Sequence, residues 1–495
     1  MECRVLQTVH ERNPFDFDFP IMFIERTLAV LDQLRIQNFK GWQDTGVIRM
    51  APITLFFGAN SSGKSSIGHF LLMLKQTIES SDRKAVFHPG TVNSPFRLGS
   101  YRDMVFGNKP DRMVAFEYRW SLPNRLKIVD PLSEQEFCGD TLAFAAQAGL
   151  NPKRHSLIVD RLQYRFVDQG EDSLAIRMMR DSSSKSTYEV ETELYPLTRY
   201  HGRTKSVGAP VRFYGFPDEI FAYYENADFV HFLNLWHEKL FHKISYLGPL
   251  RTRAERLYSW GGFEPDSVGY AGENTVAAML SARDRRINLG FNMVKRPFEE
   301  IIARKLMQMG LIDEFKITQI SEHRQEFEVR VRTRGSNKWA DIPDVGFGIS
   351  QVLPVLVQCF YAPSGSIIFM EQPEIHLHPS AQSALADVMI DVINSRMGGK
   401  DRGIQLIIET HSEHFLRRLQ RRIAEDRVPT EKVAAYFANV SGSTSKLEAL
   451  QLDEFGNIKN WPKDFFGDEM GDILNQAKAA MKKRMQRETN AESGA

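Results

Sequence analysis

Eight residues in the first part of the chain constrain its fold more than any other feature. The run Gly58-Ala-Asn-Ser-Ser-Gly-Lys-Ser65 matches the pattern G-x-x-x-x-G-K-[ST] at every fixed position. The apolar run Ile53–Phe57 before it predicts a buried strand, and the stretch Ser66–Lys75 after it predicts a helix. Between a strand and a helix, such a turn lets backbone N–H groups surround a phosphate at the positive end of the helix. The sequence therefore predicts a phosphate-binding loop.

The residue types in this loop have distinct chemical roles. We expect the Lys64 ammonium to reach the β- and γ-phosphates and the Ser65 hydroxyl to coordinate Mg²⁺. ATP and Mg²⁺ are thus the predicted cofactors. The predicted nucleotide-binding residues of the loop and the following helix start are Gly58, Ala59, Asn60, Ser61, Ser62, Gly63, Lys64, Ser65 and Ser66.

Composition limits the protein class only broadly. The net charge of +1 over 495 residues gives no global field for nucleic acid, so any such surface has to be a local patch. Cys3, Cys138 and Cys359 lie far apart, which argues against a disulfide framework and fits a reducing compartment. No apolar stretch approaches the roughly 20 residues of a membrane span, and the start of the chain has no signal-peptide pattern. We expect a cytoplasmic protein without a membrane partner.

A glycine-rich turn in the second half predicts another anion-binding helix start. It leads into a predicted helix over Val352–Phe360, so we expect Gly348, Ser350 and Gln351 to face a phosphate. Within one subunit this turn would lie too far from Gly63 to complete the same site. Across a dimer it would close over the γ-phosphate bound by a partner.

Two short apolar strands end in residues suited to metal and phosphate chemistry. Ser366–Met370 is followed by Glu371, which we expect to hold Mg²⁺ together with Ser65. Gln405–Ile408 leads to His411, which we expect to bond the γ-phosphate and report hydrolysis. The carboxyl ends of parallel strands are where such folds bind ligands.

The group that acts on the attacking water has two candidates. Gln372 follows Glu371 directly, but an amide orients water without accepting its proton. Glu374 lies two residues further along and has a carboxylate, although Pro373 sets its direction. The predicted catalytic residues are therefore Glu371, Gln372, Glu374 and His411.

The order of elements predicts an α/β fold in which both ends of the chain build one head. Strands alternate with helices around the motifs, which implies a parallel sheet. Runs near 113–120, 161–167 and 174–178 predict an antiparallel meander, and the polar stretch 121–156 predicts a loop. The predicted segments are an arm over 1–27, a first head part over 28–130, an α+β insertion over 131–340, a second head part over 341–415 and a C-terminal domain over 416–495.

Three groups of basic residues are candidate nucleic-acid contacts, although charge runs are more often solvated faces. They are Arg251, Arg253 and Arg256; Arg283, Arg285, Arg286, Lys295 and Arg296; and Arg417, Arg418, Arg421 and Arg422.

Taken together, the motifs resemble the ATPase heads of ABC type, in the subgroup of chromosome-maintenance and RecF-like proteins. The matching segments are Asn38–Gly41, Gly58–Ser66, Gly346–Gln351, Glu371–Pro379 and Glu409–Ser412. The transporter signature Leu-Ser-Gly-Gly-Gln is replaced by Gly-Phe-Gly-Ile-Ser-Gln. The fold implied is a P-loop NTPase of the ABC head type, split by the α+β insertion.

A narrower resemblance runs from about residue 28 to 470. It is to prokaryotic AAA-type ATPases with a short C-terminal domain of uncharacterised function, and relatives of this class occur in anti-phage systems such as Septu, Gabija and PARIS. The segments that carry it are Leu247–Arg251, Glu371–Pro379, Glu409–His414, Leu452–Ile458, Asn460–Pro462 and Phe465-Phe466.

The resemblance implies that two heads sandwich two ATP molecules. Lys64 and Ser65 would face Ser350 of a second subunit, and His411 would be the switch histidine. Where most ABC heads have an Asp followed by a catalytic Glu, this chain has Glu371 and Gln372, which implies slow hydrolysis. No Asp-x-Asp of a Toprim nuclease follows the head, so we expect no nuclease activity in this chain.

The predicted function is that of an ATPase that assembles around ATP and controls an effector partner, a nuclease or a toxin, in anti-phage defence. Two alternatives stay open: a RecF-like ATPase of DNA repair, and a nucleotide-binding scaffold without turnover.

Overall fold

A computed structural model gives the fold of most of the chain. It describes residues 31–92, 94–151, 156–181, 187–203, 206–291, 293–333, 335–462, 465 and 475–481. The predicted arm over 1–27, Cys3 and Phe466 lie outside the described residues, as does much of the predicted C-terminal domain beyond 465.

The first half of the described chain contains ten strands. They are β1 Leu31–Phe39, β2 Trp42–Asp44, β3 Ile48–Arg49, β4 Ile53–Gly58, β5 Val114–Val129, β6 Glu136–Leu150, β7 Leu157–Asp168, β8 Glu171–Arg180, β9 Tyr188–Glu193 and β10 Ser206–Val207. Thirteen more strands follow: β11 Ile244–Leu247, β12 Tyr258–Ser259, β13 Arg286–Ile287, β14 Arg296–Pro297, β15 Glu314–Gln319, β16 Glu326–Arg332, β17 Ala340–Asp341, β18 Ile367–Glu371, β19 Arg396–Met397, β20 Lys400–Asp401, β21 Gln405–Glu409, β22 Val433–Ser441 and β23 Thr444–Ala449.

Nine α-helices are spread over the described part of the chain. They are α1 Lys64–Glu79, α2 Tyr101–Met104, α3 Glu219–Tyr223, α4 Phe229–His242, α5 Thr275–Ser281, α6 Phe298–Gln308, α7 Phe347–Tyr361, α8 Pro379–Ile393 and α9 Glu413–Ala424. Within the described ranges, no helix has both the length and the apolar content that crossing a membrane requires.

Six strands form the central sheet, in the order β11-β18-β21-β4-β22-β23. The first five are parallel, and β23 returns antiparallel to β22. The carboxyl ends of the parallel strands therefore share one edge, which brings Gly58, Glu371 and Glu409 to the same side of the sheet. This arrangement confirms the predicted α/β class with a parallel sheet.

Alternate residues of the central sheet belong to two separate cores. In β4, Ile53, Leu55 and Phe57 pack against helices α5 to α9, whereas Phe56 packs on the side of α1, α4 and the antiparallel sheet. Successive strand residues point to opposite faces, so a strand buried on both faces needs a continuous apolar run. The sequence Ile53–Phe57 meets that need.

Nine strands form an antiparallel sheet beside the central one, in the order β10-β9-β8-β7-β6-β5-β1-β2, with β3 also paired to β1. The predicted meander strands are confirmed in β5, β7 and β8. The predicted loop over 121–156 is wrong, because β5 continues to Val129 and β6 occupies Glu136–Leu150. Small and polar side chains in β6 hide its pattern, while pairing with β5 and β7 on both sides stabilises it.

Two helices begin earlier than the sequence predicts. The helix after the phosphate loop begins at Lys64 rather than Ser66. The helix after the second glycine-rich turn, α7, begins at Phe347 rather than Val352, with Pro354 in its interior.

The predicted domain boundaries stay predictions, and strand pairing within the described residues joins segments on either side of three of them. Residue 130 lies between β5 and β6, which pair along most of their length. From the predicted insertion, β11 joins the central sheet beside β18. From the predicted C-terminal domain, β22 pairs with β4.

Candidate nucleotide site

The phosphate loop joins the end of β4 to the start of α1, as the motif predicts. Gly58 has φ 136° and Gly63 has φ 96°, both in the region that L side chains rarely adopt. A Cβ on Gly58 would lie 2.0 Å from the Ala438 carbonyl oxygen, and one on Gly63 would lie 2.8 Å from Ser445 Oγ. The neighbouring hairpin β22–β23 therefore leaves room only for glycine at these two positions.

Lys64 folds back over the loop that it follows. Its ammonium donates to the carbonyl oxygens of Gly58 at 3.0 Å and Ala59 at 2.7 Å, and lies 3.8 Å from Glu409 Oε1. Only 4% of the residue is exposed. Burial lowers the pKa of the Lys64 ammonium, while the charges of Glu409 and Glu371 act in the opposite direction. The cation is thus placed where a phosphate would enter.

Two buried carboxylates lie side by side at the strand ends. Glu371 ends β18 and Glu409 ends β21, and the two residues are direct partners in the sheet register. Burial and the nearby Glu371 charge raise the pKa of Glu409, against the effects of Ser65 and Lys64. The pair of like charges disfavours full ionisation and suits a divalent cation.

Glu371 is held by two further side chains. His69 Nε2 lies 3.0 Å from Glu371 Oε1, and the Tyr246 hydroxyl donates to the same oxygen at 2.8 Å. Burial pushes the pKa of Glu371 up, but these contacts outweigh burial and leave the pKa below its ordinary value. The Ser65 hydroxyl acts in the same direction. Glu371 is therefore an ionised group with a fixed orientation.

The cleft around the loop has a volume of about 500 Å³. Residues 60–66 line it together with Glu371, Gln372 and Glu409. The strand β21 separates β18 from β4, so Glu371 reaches the cleft across one strand instead of lying beside the loop strand.

Two buried polar atoms in the cleft walls have no hydrogen-bond partner among the described residues. They are Ser62 Oγ and Glu409 Oε2. Phosphate oxygens accept hydrogen bonds from hydroxyl groups, and Mg²⁺ takes carboxylate and hydroxyl ligands. The residues present therefore fit a nucleotide with its metal ion, with Ser65, Glu371 and Glu409 as the groups that would hold the metal.

The two candidates for the water-activating group differ in position. The described residues that line the cleft include Gln372 but not Glu374. Glu374 is 6% exposed, and its Oε1 accepts from the Thr410 hydroxyl at 2.6 Å and from the His411 N–H at 2.9 Å. The Glu374 carboxylate thus binds the next strand end, whereas Gln372 lines the cleft, and the choice between them as the water-activating group stays a prediction.

His411 follows the end of β21 and is exposed. Partial burial and the Lys64 charge lower the pKa of its imidazole. Its predicted contact with a γ-phosphate stays a prediction.

The second glycine-rich turn lies outside the cleft of its own chain. Gly348, Ser350 and Gln351 do not occur among the described residues that line it. Ser350 is in the first turn of α7 rather than at its cap, and its hydroxyl donates to the Phe347 carbonyl at 2.8 Å. Gln351 is buried. Ser350 therefore does not face the cleft of its own chain.

The sequence did not predict four residues that the structure places at or beside the site. Glu409 could have been found, because two apolar strands both end in Glu. His69 follows Lys64 by five helix positions, and Tyr246 lies in β11; neither position carries a recognisable signal. Arg251 stood among the basic clusters, but it is 9% exposed and donates to the Gln372 carbonyl at 3.3 Å.

Most members of the basic clusters are paired with acidic residues. Arg256 contacts Asp341 and Asp344, and Asp387 contacts both Arg418 and Arg422. Further pairs join Arg283 to Glu299, Arg285 to Glu264, Arg296 to Glu300, Arg417 to Glu413 and Arg421 to Glu425. These contacts favour the solvated-face interpretation over nucleic-acid binding.

Two segments match known protein families. Residues 224–417 match a family described as "AAA domain, putative AbiEii toxin, Type IV TA system". Residues 428–476 match a family described as "Protein of unknown function (DUF3696)". The first match includes Glu371 and His411 but not the phosphate loop, which the fold brings to them. The comparison with curated proteins gave no match.

Solved structures of similar shape include three heads of SMC proteins. One, bound to the C-winged helix domain of ScpA, is 11% identical, with 86% of this chain and 99% of that chain covered and a TM-score of 0.41. The SMC head domain from Thermotoga maritima is 12% identical, with 86% and 100% covered and a TM-score of 0.39. A head with an extended coiled coil, bound to a ScpA domain derived from Pyrococcus furiosus, is 11% identical, with 91% and 99% covered and a TM-score of 0.40. Because these identities and TM-scores are low, the roles of residues in those proteins are not assigned to residues of this chain.

The phosphate loop at the edge of a parallel sheet and the match to an AAA domain agree with each other. Together they support an ATPase of the AAA type with an α/β P-loop fold.

Proposed function

We propose that this chain binds ATP with Mg²⁺ in the cleft, hydrolyses it slowly and uses the ATP-bound state to assemble with a second copy. One observation carries the proposal: Lys64, Ser65, Glu371 and Glu409 converge at the ends of three adjacent strands. A cation, a hydroxyl and two carboxylates are what a phosphate-loop site needs for nucleotide and metal.

Each residue of the site has a separate role in the proposed hydrolysis. Ser65, Glu371 and Glu409 would hold Mg²⁺, which when bound neutralises charge on the β- and γ-phosphates. Lys64 would exchange its contacts with loop carbonyls for phosphate oxygens. Gln372 lines the cleft and would orient water; because an amide accepts no proton, turnover is slow.

The amino end of α7 supports assembly with a second copy. Phe347 is 71% exposed, and Ser350 lies one helical turn away from it on the same helix. This start of α7 does not face the cleft of its own chain, and it has a large exposed apolar side chain. Such an exposed apolar group fits a surface that a second head would cover.

The wider role is inferred from the family descriptions. We infer that the chain acts in the cytoplasm in anti-phage defence, where it controls an effector partner, a nuclease or a toxin; the match to a family named for a type IV toxin–antitoxin system supports a role in a two-component system of this kind. The pairing of most basic clusters disfavours the RecF-like alternative, since fewer cations are free to contact DNA.

Replacement of Lys64 by Ala tests the nucleotide site. The variant loses hydrogen bonds from a charged donor, each worth about 1.5–3 kcal/mol, so we expect ATP affinity to fall by about 10–100-fold or more. Lys75→Ala is the matched control, because Lys75 lies on the same helix and pairs with Glu79.

The measurements are an ATP titration and Mg²⁺-dependent phosphate release on purified, folded protein. Unchanged ATP affinity in Lys64→Ala would contradict the proposed site. ATP binding without any phosphate release by the natural sequence would favour the scaffold alternative.

A further inference from the structure

Arg251 is a buried cation behind the cleft with part of its guanidinium unpaired. It follows the end of β11, and only 9% of it is exposed. Its Nη2 donates to the carbonyl oxygens of Glu371 at 3.4 Å and Gln372 at 3.3 Å. Its Nε and Nη1 have no hydrogen-bond partner among the described residues. Buried guanidinium groups usually donate hydrogen bonds from all their N–H groups, so the two unpaired nitrogens of Arg251 need an explanation.

Glu374 follows the same turn directly in sequence and is a buried counter-charge for Arg251. Its Oε1 accepts from Thr410 and from the His411 N–H, whereas its Oε2 has no partner among the described residues. Burial lowers the pKa of Arg251 to about 10, and the Glu374 charge opposes that effect. The Glu374 charge thus stabilises the cation, while the guanidinium itself donates to the turn.

The turn between these two groups has an unusual backbone. Gln372 has φ 45°, in the left-handed region that a residue with a side chain adopts at a cost. Its N–H donates to the Glu409 carbonyl at 2.8 Å, and its own carbonyl accepts from Arg251. Such a conformation persists only where the surroundings determine it, and here the contacts come from β21 on one side and Arg251 on the other.

We propose that Arg251 is a positioning residue for hydrolysis: it holds the Glu371–Pro373 turn so that the Gln372 side chain faces the cleft. Glu374 stabilises the guanidinium through its charge and links the turn to His411 through the His411 N–H. The inference rests on the proposed function in one respect, that Gln372 orients the attacking water. Pro249 lines the cleft and Arg251 does not, so the guanidinium acts through the turn and not on the nucleotide.

The test compares Arg251→Lys and Arg251→Met with a matched control. Arg402 is also buried, its pKa is also about 10, and it also donates to backbone carbonyls, those of Cys359 and Ala362, but it precedes β21 at the opposite edge of the sheet. Arg402→Lys and Arg402→Met, the controls for the two Arg251 variants, should lower thermal stability without a specific loss of turnover. A misplaced reacting group costs on the order of 100-fold, so kcat should fall about that much in Arg251→Met, with ATP Kd within about twofold.

A double variant tests the link to Glu374. If the two charges act as one unit, Arg251→Met with Glu374→Gln should have a kcat well above the product of the two single effects. Strict multiplication of the single effects would overturn the role given to Glu374. An unchanged kcat in folded Arg251→Met would overturn the positioning role itself. A weakened ATP Kd with an unchanged ADP Kd would overturn it too, because it would mean a direct contact with the γ-phosphate.

Amide hydrogen exchange over residues 371–377 separates this inference from the proposed function. Arg251→Met should exchange faster there than the natural sequence and than Arg402→Met, with and without ATP. If the natural sequence releases no phosphate, the proposed hydrolysis fails, and the exchange comparison still decides whether Arg251 holds the turn. Equal exchange in the two arginine variants would overturn the inference whatever the turnover.

Discussion

Gln372 differs from the other strand-end residues of the cleft because its side chain is neutral. Glu371 precedes it and Glu409 ends the neighbouring strand, and both are carboxylates beside Lys64. The cleft thus has groups to hold a cation, but the position at which we propose that water is oriented has no proton acceptor. Glu374, which has one, is directed to Thr410 and His411.

Replacement of Gln372 by Glu should speed hydrolysis. A positioned general base contributes on the order of 10²–10⁴-fold, so the single-turnover rate with Mg²⁺ should rise markedly. The opposing effect is repulsion, since a third carboxylate near Glu371 and Glu409 raises the pKa of its neighbours. Gln319→Glu, on the exposed strand β15, is the control for the change in net charge. A rate equal to that of the natural sequence would mean that Gln372 does not face the attacking water.

At the scale of elements, α7 shows what a local pattern can and cannot predict. Gly346 and Gly348 predict a loop by composition, yet the helix begins between them, at Phe347. The helix tolerates Gly348 and Pro354 because it is buried over most of its length, and packing overrides propensity. Ser350 is consequently held inside the first turn.

Replacement of Ser350 by Arg should block ATP-dependent association while leaving ATP binding by the monomer nearly unchanged. The bulky cation would occupy the position that a partner's γ-phosphate needs, and Ser350 does not line the cleft of its own chain. Sedimentation with a non-hydrolysable ATP analogue measures the effect. Met397→Arg, on the hairpin β19–β20, is the control for an added surface charge. Assembly of the Ser350 variant like that of the natural sequence would reject the sandwich arrangement.

The predictable elements are those whose signal is local. The run Ile53–Phe57 and the motif spacing were sufficient for β4, the loop and α1. The strand β6 was not predictable, because its stability comes from pairing with β5 and β7 and not from its own alternation. Arg251 could not be placed either, since its burial depends on the parallel pairing of β11 with β18, which are far apart in sequence.

At the scale of the whole molecule, the two large sheets meet at the phosphate loop. Trp42 of β2 is fully buried, and its indole Nε1 donates to the Gly63 carbonyl at 3.1 Å. From the central sheet, the Ser445 N–H donates to the Gly41 carbonyl at 2.8 Å. The antiparallel sheet therefore contacts the loop directly and is joined to the central sheet beside it, so the shape of the loop depends on how the two sheets pack together.

Replacement of Trp42 by Phe should weaken ATP binding without unfolding the protein. The ring keeps most of its apolar contacts, while the hydrogen bond to Gly63, worth about 1 kcal/mol, is lost. We expect the ATP Kd to rise about fivefold in a binding titration, with the far-UV circular dichroism spectrum retained. Trp260→Phe is the control, because the Trp260 indole donates to Phe263 outside the cleft. An unchanged Kd would show that the antiparallel sheet does not shape the loop.

The side chains around the cleft have a further consequence for the order of binding. Lys40 and Lys64 supply two cations, whereas Asp103, Glu371 and Glu409 supply three carboxylates. When every group is ionised, the side chains that line this cleft therefore have a net negative charge, although the proposed ligand is itself a polyanion. Bare nucleotide would meet repulsion there, whereas a nucleotide already complexed with a divalent ion carries its own compensation. Occupancy should therefore follow the concentration of the magnesium complex rather than that of total nucleotide, so that chelation empties the cleft even when nucleotide is abundant.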